Sequence, residues 1–231
     1  MKKSNLSVSL TQKELVGGWL YLAFEALFLG ALLSVLNRHL THPMSNAELN
    51  FTYFGLNFLA SLWIFHSFLG RNAAQMRKHP IYFFQAVILG LAAYYACTWA
   101  VNYFIRLIAP GFSNANDAAI TAMLGSSRFL MTVGTVVLVP LAEECLFRGL
   151  IFRTLYSSSR WAAYIVSILV FAAVHIAGFI TQYSPLELLL SFLQYLPAGL
   201  CLAWAYTKAD TIFAPILMHT IINAVAIIAL R

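Results

Sequence analysis

Glu143 and Glu144 stand side by side, with Arg148 four residues further on, inside an apolar run that extends from Phe129 to Tyr156. A charge at bilayer depth is costly unless it is paired or faces water, so three of them so close together need a reason. On a helix, Glu144 and Arg148 share a face and can form an ion pair. Glu143 is turned about 100° from its neighbour and is left to address a different group. Pro140, just upstream, removes a backbone donor and predicts a kink ahead of the pair, where water would have to enter. A purely structural ion-pair network would use the same residues, so this stretch alone leaves structure and chemistry both open.

Two more polar positions interrupt apolar runs. Phe171 and His175 lie on the next run, joined to the first by the tight turn Ser157-Ser158-Ser159-Arg160, which predicts an antiparallel hairpin. Glu143 lies 15 residues before Ser158 and His175 lies 17 after it. At about 1.5 Å of rise per residue the two are level to within about 3 Å. The last run carries His219 and Asn223, four apart and therefore on one face, with Pro215 ahead of them predicting a bend toward the bundle centre. Counted from a turn near Ala209, His219 is 10 residues in and Asn223 is 14, so on a straight-helix count Asn223 matches the level of Glu143.

Carboxylate, imidazole and carboxamide gathered at one depth suit amide hydrolysis in a shielded cavity. A buried carboxylate is a better base and can take a proton from water as the water attacks a carbonyl. Imidazole and carboxamide can stabilise the oxyanion that develops. In the alternative, Glu143, His175 and His219 ligate a divalent metal such as zinc, which activates the water. No His-Glu-x-x-His helix is present, so the spacing does not dictate zinc.

The elements that must position these residues follow from composition. Of 231 residues 61% are hydrophobic and only 10% charged, with a mean hydropathy of +0.78. Soluble domains carry about a quarter charged residues, so the chain is expected to be an all-α, polytopic transmembrane helix bundle. Apolar runs near 15–37, 51–70, 81–107, 128–156, 161–180, 186–206 and 211–230 give about seven spans. The linker from Ala109 to Ser127 divides an N-terminal three-span region (1–127) from a four-span core (128–231) within one bundle. Residues 118–124 of that linker are expected to form a short interfacial helix. Glu25 in the first run is expected to be paired or to snorkel.

The net charge of +6 forms no stripe, and nucleic acid is not an expected partner. Topology explains the charges better. With the N-terminus inside, Lys2, Lys3, Lys13, Arg71, Arg77, Lys78, Arg148, Arg153, Arg160 and Lys208 fall on the cytoplasmic half. Arg38, Arg106, Arg128 and Arg231 fall on the other. The first run is too long for a cleaved signal and reads as a signal anchor. Cys97, Cys145 and Cys201 lie in separate apolar runs and read as buried free thiols, with Cys145 a packing residue rather than a nucleophile. His39, His42, His66 and His79 fall in or near loops, outside the constellation.

At Glu143-Glu144-x-x-x-Arg148-Gly149, Phe171-x-x-x-His175 and His219-x-x-x-Asn223 the chain resembles the CAAX protease and bacteriocin-processing (CPBP, or Abi) family of intramembrane endopeptidases. The three motifs occur in the family's order over roughly residues 128–230, and the first 120 residues carry no usable resemblance. The resemblance implies a helical bundle open toward the cytoplasm and lipid that hydrolyses peptide bonds. It implies Glu143 as general base, Glu144 and Arg148 as supports, His175 on the water, and His219 with Asn223 on the oxyanion. The family has been described both as metalloproteases and as glutamate-dependent proteases. The compact length resembles the bacterial branch, linked to bacteriocin immunity and peptide-pheromone maturation. That branch implies a membrane-associated peptide substrate in the lipid bilayer of a bacterial plasma membrane. A non-catalytic immunity or scaffold protein and a proton-coupled transporter are the competing readings. The absence of repeated halves counts against the transporter.

Overall fold

The computed structural model describes residues 6–230, and among them the only regular structure is helical. Lys2, Lys3 and Arg231, three of the charges used to orient the chain, lie outside the described residues. Eight helices follow in order: α1 Gln12–Arg38, α2 Asn46–Lys78, α3 Pro80–Ile108, α4 Ala115–Ser126, α5 Arg128–Tyr156, α6 Arg160–Ala177, α7 Pro185–Ala209 and α8 Phe213–Ala229.

Their ends follow from local chemistry. Thr11 with Glu14, Ser45 with Glu48 and Ser184 with Glu187 form reciprocal capping boxes that satisfy the orphan amides of α1, α2 and α7. Pro80 and Pro185 occupy first turns, where a missing N–H costs nothing. Asp210 ends α7 in the left-handed region, φ 51°, and its carboxylate accepts from Gln75 Nε2 and from the Ser7 amide, each at 2.8 Å.

Every apolar run predicted to span is helical. Five helices, α1, α3, α5, α6 and α7, are long and apolar enough to cross a membrane. Of the other two, α8 is apolar but has 17 residues. The 33-residue α2 has length to spare, but its run is diluted by polar residues such as Asn57, Ser61 and His66. The chain is an integral membrane protein built as a polytopic helical bundle. Trp63, Trp99, Phe129 and Trp161 lie exposed on its outside, a surface suited to lipid.

Helix α5 runs between two apolar clusters, one with Phe65, Phe68, Phe152 and Tyr206, the other with Phe147, Phe171, Leu202 and Met218. It packs on α2 and α6, while α7 packs on α3 and α6. At Gly199 a Cβ would stand 3.1 Å from the Ile168 Cα, so α7 and α6 approach backbone to backbone there.

Helix α5 is not a plain α-helix. Gly134–Leu138 and Cys145–Phe152 are π-helical, bracketing Val139–Glu144. The kink expected at Pro140 takes this form: the prolyl nitrogen cannot close an α-turn, and the turn before it is widened. Pro215 does not act as expected. It falls in the first turn of α8, where its missing donor breaks no hydrogen bond within the helix. The short linker helix is present and longer than expected. Cys145 and Cys201 are buried free thiols, whereas Cys97 is exposed, because its face of α3 points outward.

Candidate active site

Glu144 and Arg148 form the predicted ion pair, Nη1 donating to Oε1 at 3.1 Å, and both side chains are 0% exposed. The guanidinium also donates from Nη2 to the Gly199 carbonyl at 3.2 Å, and its Cζ stands 4.4 Å from the centroid of the Phe171 ring. Arg148 thereby ties α5 to α6 and α7. Glu144 Oε1 receives a second bond, from His219 Nδ1 at 2.9 Å, which ties α5 to α8.

Glu143 points elsewhere. Its Oε2 is buried without a hydrogen-bond partner, yet it stands 4.0 Å from His175 Nε2 and 4.0 Å from His219 Nε2. Both imidazoles are oriented from behind. His175 Nδ1 meets the Phe171 carbonyl at 2.7 Å and His219 Nδ1 meets the Glu144 carboxylate. Each acceptor fixes the proton on Nδ1 and leaves the neutral ring's Nε2 lone pair aimed at Glu143.

The structure thus brings Glu143, His175 and His219 to one point, with Glu144 and Arg148 behind them. Asn223 lines the same cavity, but its Nδ2 donates to the Thr135 carbonyl at 2.8 Å. The straight-helix count that put Asn223 rather than His219 level with Glu143 is corrected. It is His219 whose ring stands 4.0 Å from Glu143, because the count took the turn near Ala209 to lie level with the turn at Ser158, which sequence spacing does not fix.

A divalent metal is tested by the same geometry. The tautomers suit a ligand pair, since ligating histidines are oriented from the far nitrogen in this way. The spacing does not. Donors on a tetrahedral zinc with bonds near 2.1 Å stand about 3.4 Å apart, and the two separations here are 4.0 Å. Among the described residues no group of three or more His, Cys, Asp or Glu side chains is gathered closely enough to hold a metal ion.

The cavity around these groups measures about 810 Å³ and draws its lining from every helix. Glu25 enters it from α1, at the start of a π-helical turn, and accepts a hydrogen bond from the Tyr53 hydroxyl of α2. Asn102, Asn114, Asn116, Gln194 and Tyr195 form a polar wall on the side of α4. Glu25 stands out in the sequence, whereas the five wall residues were not expected in the site. Asn102, Gln194 and Tyr195 are polar interruptions of apolar runs, as His175 is, and that signal could have found them. Asn114 and Asn116 read only as loop formers.

Residues 125–225 match the family model for "Type II CAAX prenyl endopeptidase Rce1-like". The chain is 28% identical over 131 residues to UPF0177 protein YxdF of Lactococcus lactis, covering 54% of this chain and 67% of that protein. It is 30% identical over 93 residues to UPF0177 protein YbdI of the same organism, covering 40% of this chain and 45% of that one. No solved structure matches the chain. All three motifs fall inside the matched segment, so the part of the chain that carries them, residues 125–225, is similar to the Rce1-like type II CAAX prenyl endopeptidases.

Proposed function

We propose that this protein is an intramembrane endopeptidase that hydrolyses peptide bonds of membrane-associated peptides, with Glu143 as the general base. One observation carries the reading: a buried, unpartnered carboxylate oxygen 4.0 Å from two imidazole nitrogens that face it. Two hydrogen bonds of about 2.8 Å that meet near a right angle at one water span about 4 Å. A single water therefore fits between Glu143 and His175 Nε2, with His219 Nε2 at the same distance from the carboxylate.

In that position the water donates one hydrogen to Glu143 and the other to His175 Nε2, which aims its oxygen lone pair at a substrate carbonyl. As the oxygen attacks, Glu143 takes the proton. The carbonyl carbon becomes tetrahedral and its oxygen negative. Asn223 has a second amide N–H beyond the one given to Thr135, and this donor, with His219 when its Nε2 is protonated, stabilises the oxyanion. The proton on Glu143 then passes to the amide nitrogen as the C–N bond breaks, leaving an amine and a carboxylic acid, and the acid's proton passes to the amine as the products leave. Glu144 and Arg148 touch no reacting atom. They hold α5, α7 and α8 in register and orient His219. We assign the protein to a bacterial plasma membrane, as the resemblance to the bacterial branch implies, with its N-terminus in the cytoplasm, a reading that its charge distribution supports.

The test is cleavage of internally quenched, membrane-associated peptides by the detergent-purified protein. At least one peptide should be cut, and Glu143→Gln should abolish cutting while its thermal unfolding stays at the wild-type temperature. Cutting should persist after exhaustive chelation. Cleavage retained by Glu143→Gln removes Glu143 from its role. Loss on chelation, with one metal bound per chain in the untreated protein, makes the three donors ligands instead.

A further inference from the structure

His175 is held by more than its own helix. Its bond to Phe171 fixes the tautomer, but a ring on a single hydrogen bond can still tilt, and a tilt moves Nε2 off the point it shares with Glu143. Two aromatic faces close that freedom. The Phe171 ring lies 4.5 Å away on one contact, and the Tyr195 ring of α7 stacks on the imidazole at 4.2 Å with an interplanar angle of 27°. Offset stacking at this distance is favourable in its own right.

Tyr195 is in turn held from a helix that carries none of the three motifs. Its hydroxyl accepts from Asn116 Nδ2 on α4 at 2.9 Å. The adjacent Gln194 accepts from Asn114 Nδ2 at 2.7 Å and donates to Asn102 of α3 at 2.7 Å. Asn114 is itself the N-cap of α4, its Oδ1 accepting from the Asn116 and Asp117 amides. The first turn of α4 is therefore bonded to two successive residues of α7, one of which is the stacking tyrosine.

We propose that Asn116 and Tyr195 are a positioning pair that keeps the His175 imidazole aimed at Glu143, so that the linker helix α4 is part of the hydrolytic machinery. The proposal deepens the endopeptidase reading and rests on it for the catalytic consequence, though not for the contact itself. Neither residue touches the reacting atoms. Asn116 acts through Tyr195, and Tyr195 through His175.

Two readouts test it. In protein labelled at histidine, the His175 Hε1 resonance should be shielded by the stacked ring and should move downfield in Tyr195→Leu, which keeps the bulk and loses the ring. It should also move in Asn116→Ala, which touches no histidine, and by a similar amount in Tyr195→Phe, because both remove the Asn116–Tyr195 hydrogen bond. With a peptide that the wild type cleaves, Tyr195→Leu should lower kcat about tenfold or more with KM within about twofold, and Tyr195→Phe and Asn116→Ala, which keep the ring and lose the bond that holds it, should share a smaller loss of kcat. Such a split marks an interaction made for the transition state rather than for binding. Should the His175 resonance be unmoved in both Asn116→Ala and Tyr195→Leu, the positioning pair does not exist. Should it move while kcat is unchanged, the pair holds the ring without serving the reaction, and the proposal falls. Should it move in a wild type that cuts no peptide, the contact stands and the endopeptidase reading alone fails.

Discussion

At the scale of single residues, two adjacent glutamates face opposite demands, and substitution should separate them. Glu144 is fully buried, with Arg148 as its charge partner and His219 as a second donor. Removing one member of a buried pair strands the other and costs about 3–5 kcal/mol, while replacing both can be close to neutral. Arg148→Met should therefore lower the unfolding temperature in detergent sharply. The double variant Glu144→Gln, Arg148→Met should recover most of that loss, because no unpaired charge remains. Two losses that simply add would show that the pair contributes no coupling energy, and the structural role given to it would be wrong. This part of the site was legible in the sequence because a four-residue spacing on a helix is a contact. The partners of His175 were not, because Tyr195 meets it through tertiary packing that no spacing encodes.

At the scale of helices, the close contact of α6 with α7 decides where Arg148 finds its third bond. Gly199 lets the Ile168 backbone approach, and its own carbonyl accepts from the guanidinium. A methyl group there would stand 3.1 Å from the Ile168 Cα and 3.3 Å from its carbonyl oxygen, neither of which can swing aside. Gly199→Ala should cost about 1–3 kcal/mol through forced separation of the two helices. Gly55 in the middle of α2 has nothing within 4 Å of the added carbon. There the same change should be neutral or stabilising by up to about 1 kcal/mol, since alanine is the better helix former. Equal unfolding temperatures for the two variants would remove the close-approach argument. The run of helices was readable from hydropathy alone. Their relative levels were not, because apolar pattern does not say how deep each connecting turn sits, and it is His219, where the count expected Asn223, that stands 4.0 Å from Glu143.

At the scale of the whole molecule, charge and cavity make a joint demand on orientation. Cytoplasmic loops collect lysine and arginine, and by that rule the proposed orientation has the loop before α6 inside and the linker that holds α4 outside. Yet α4 supplies Asn114 and Asn116 to the polar wall of the cavity. If the charge rule holds, the polar end of the cavity lies toward the extracytoplasmic face, opposite to the cytoplasmic opening that the family resemblance implies. Ala118 on α4 and Ser158 in the turn before α6 are both exposed and suit single-cysteine labelling once Cys97, the exposed native thiol, is replaced. In intact cells a membrane-impermeant maleimide should modify Ala118→Cys directly and Ser158→Cys only after permeabilisation. A peptide processed here would then meet the polar wall from outside the cell. The reverse pattern would invert the chain, turn that end of the cavity to the cytoplasm, and show that the scattered arginines of this compact bundle do not set its topology.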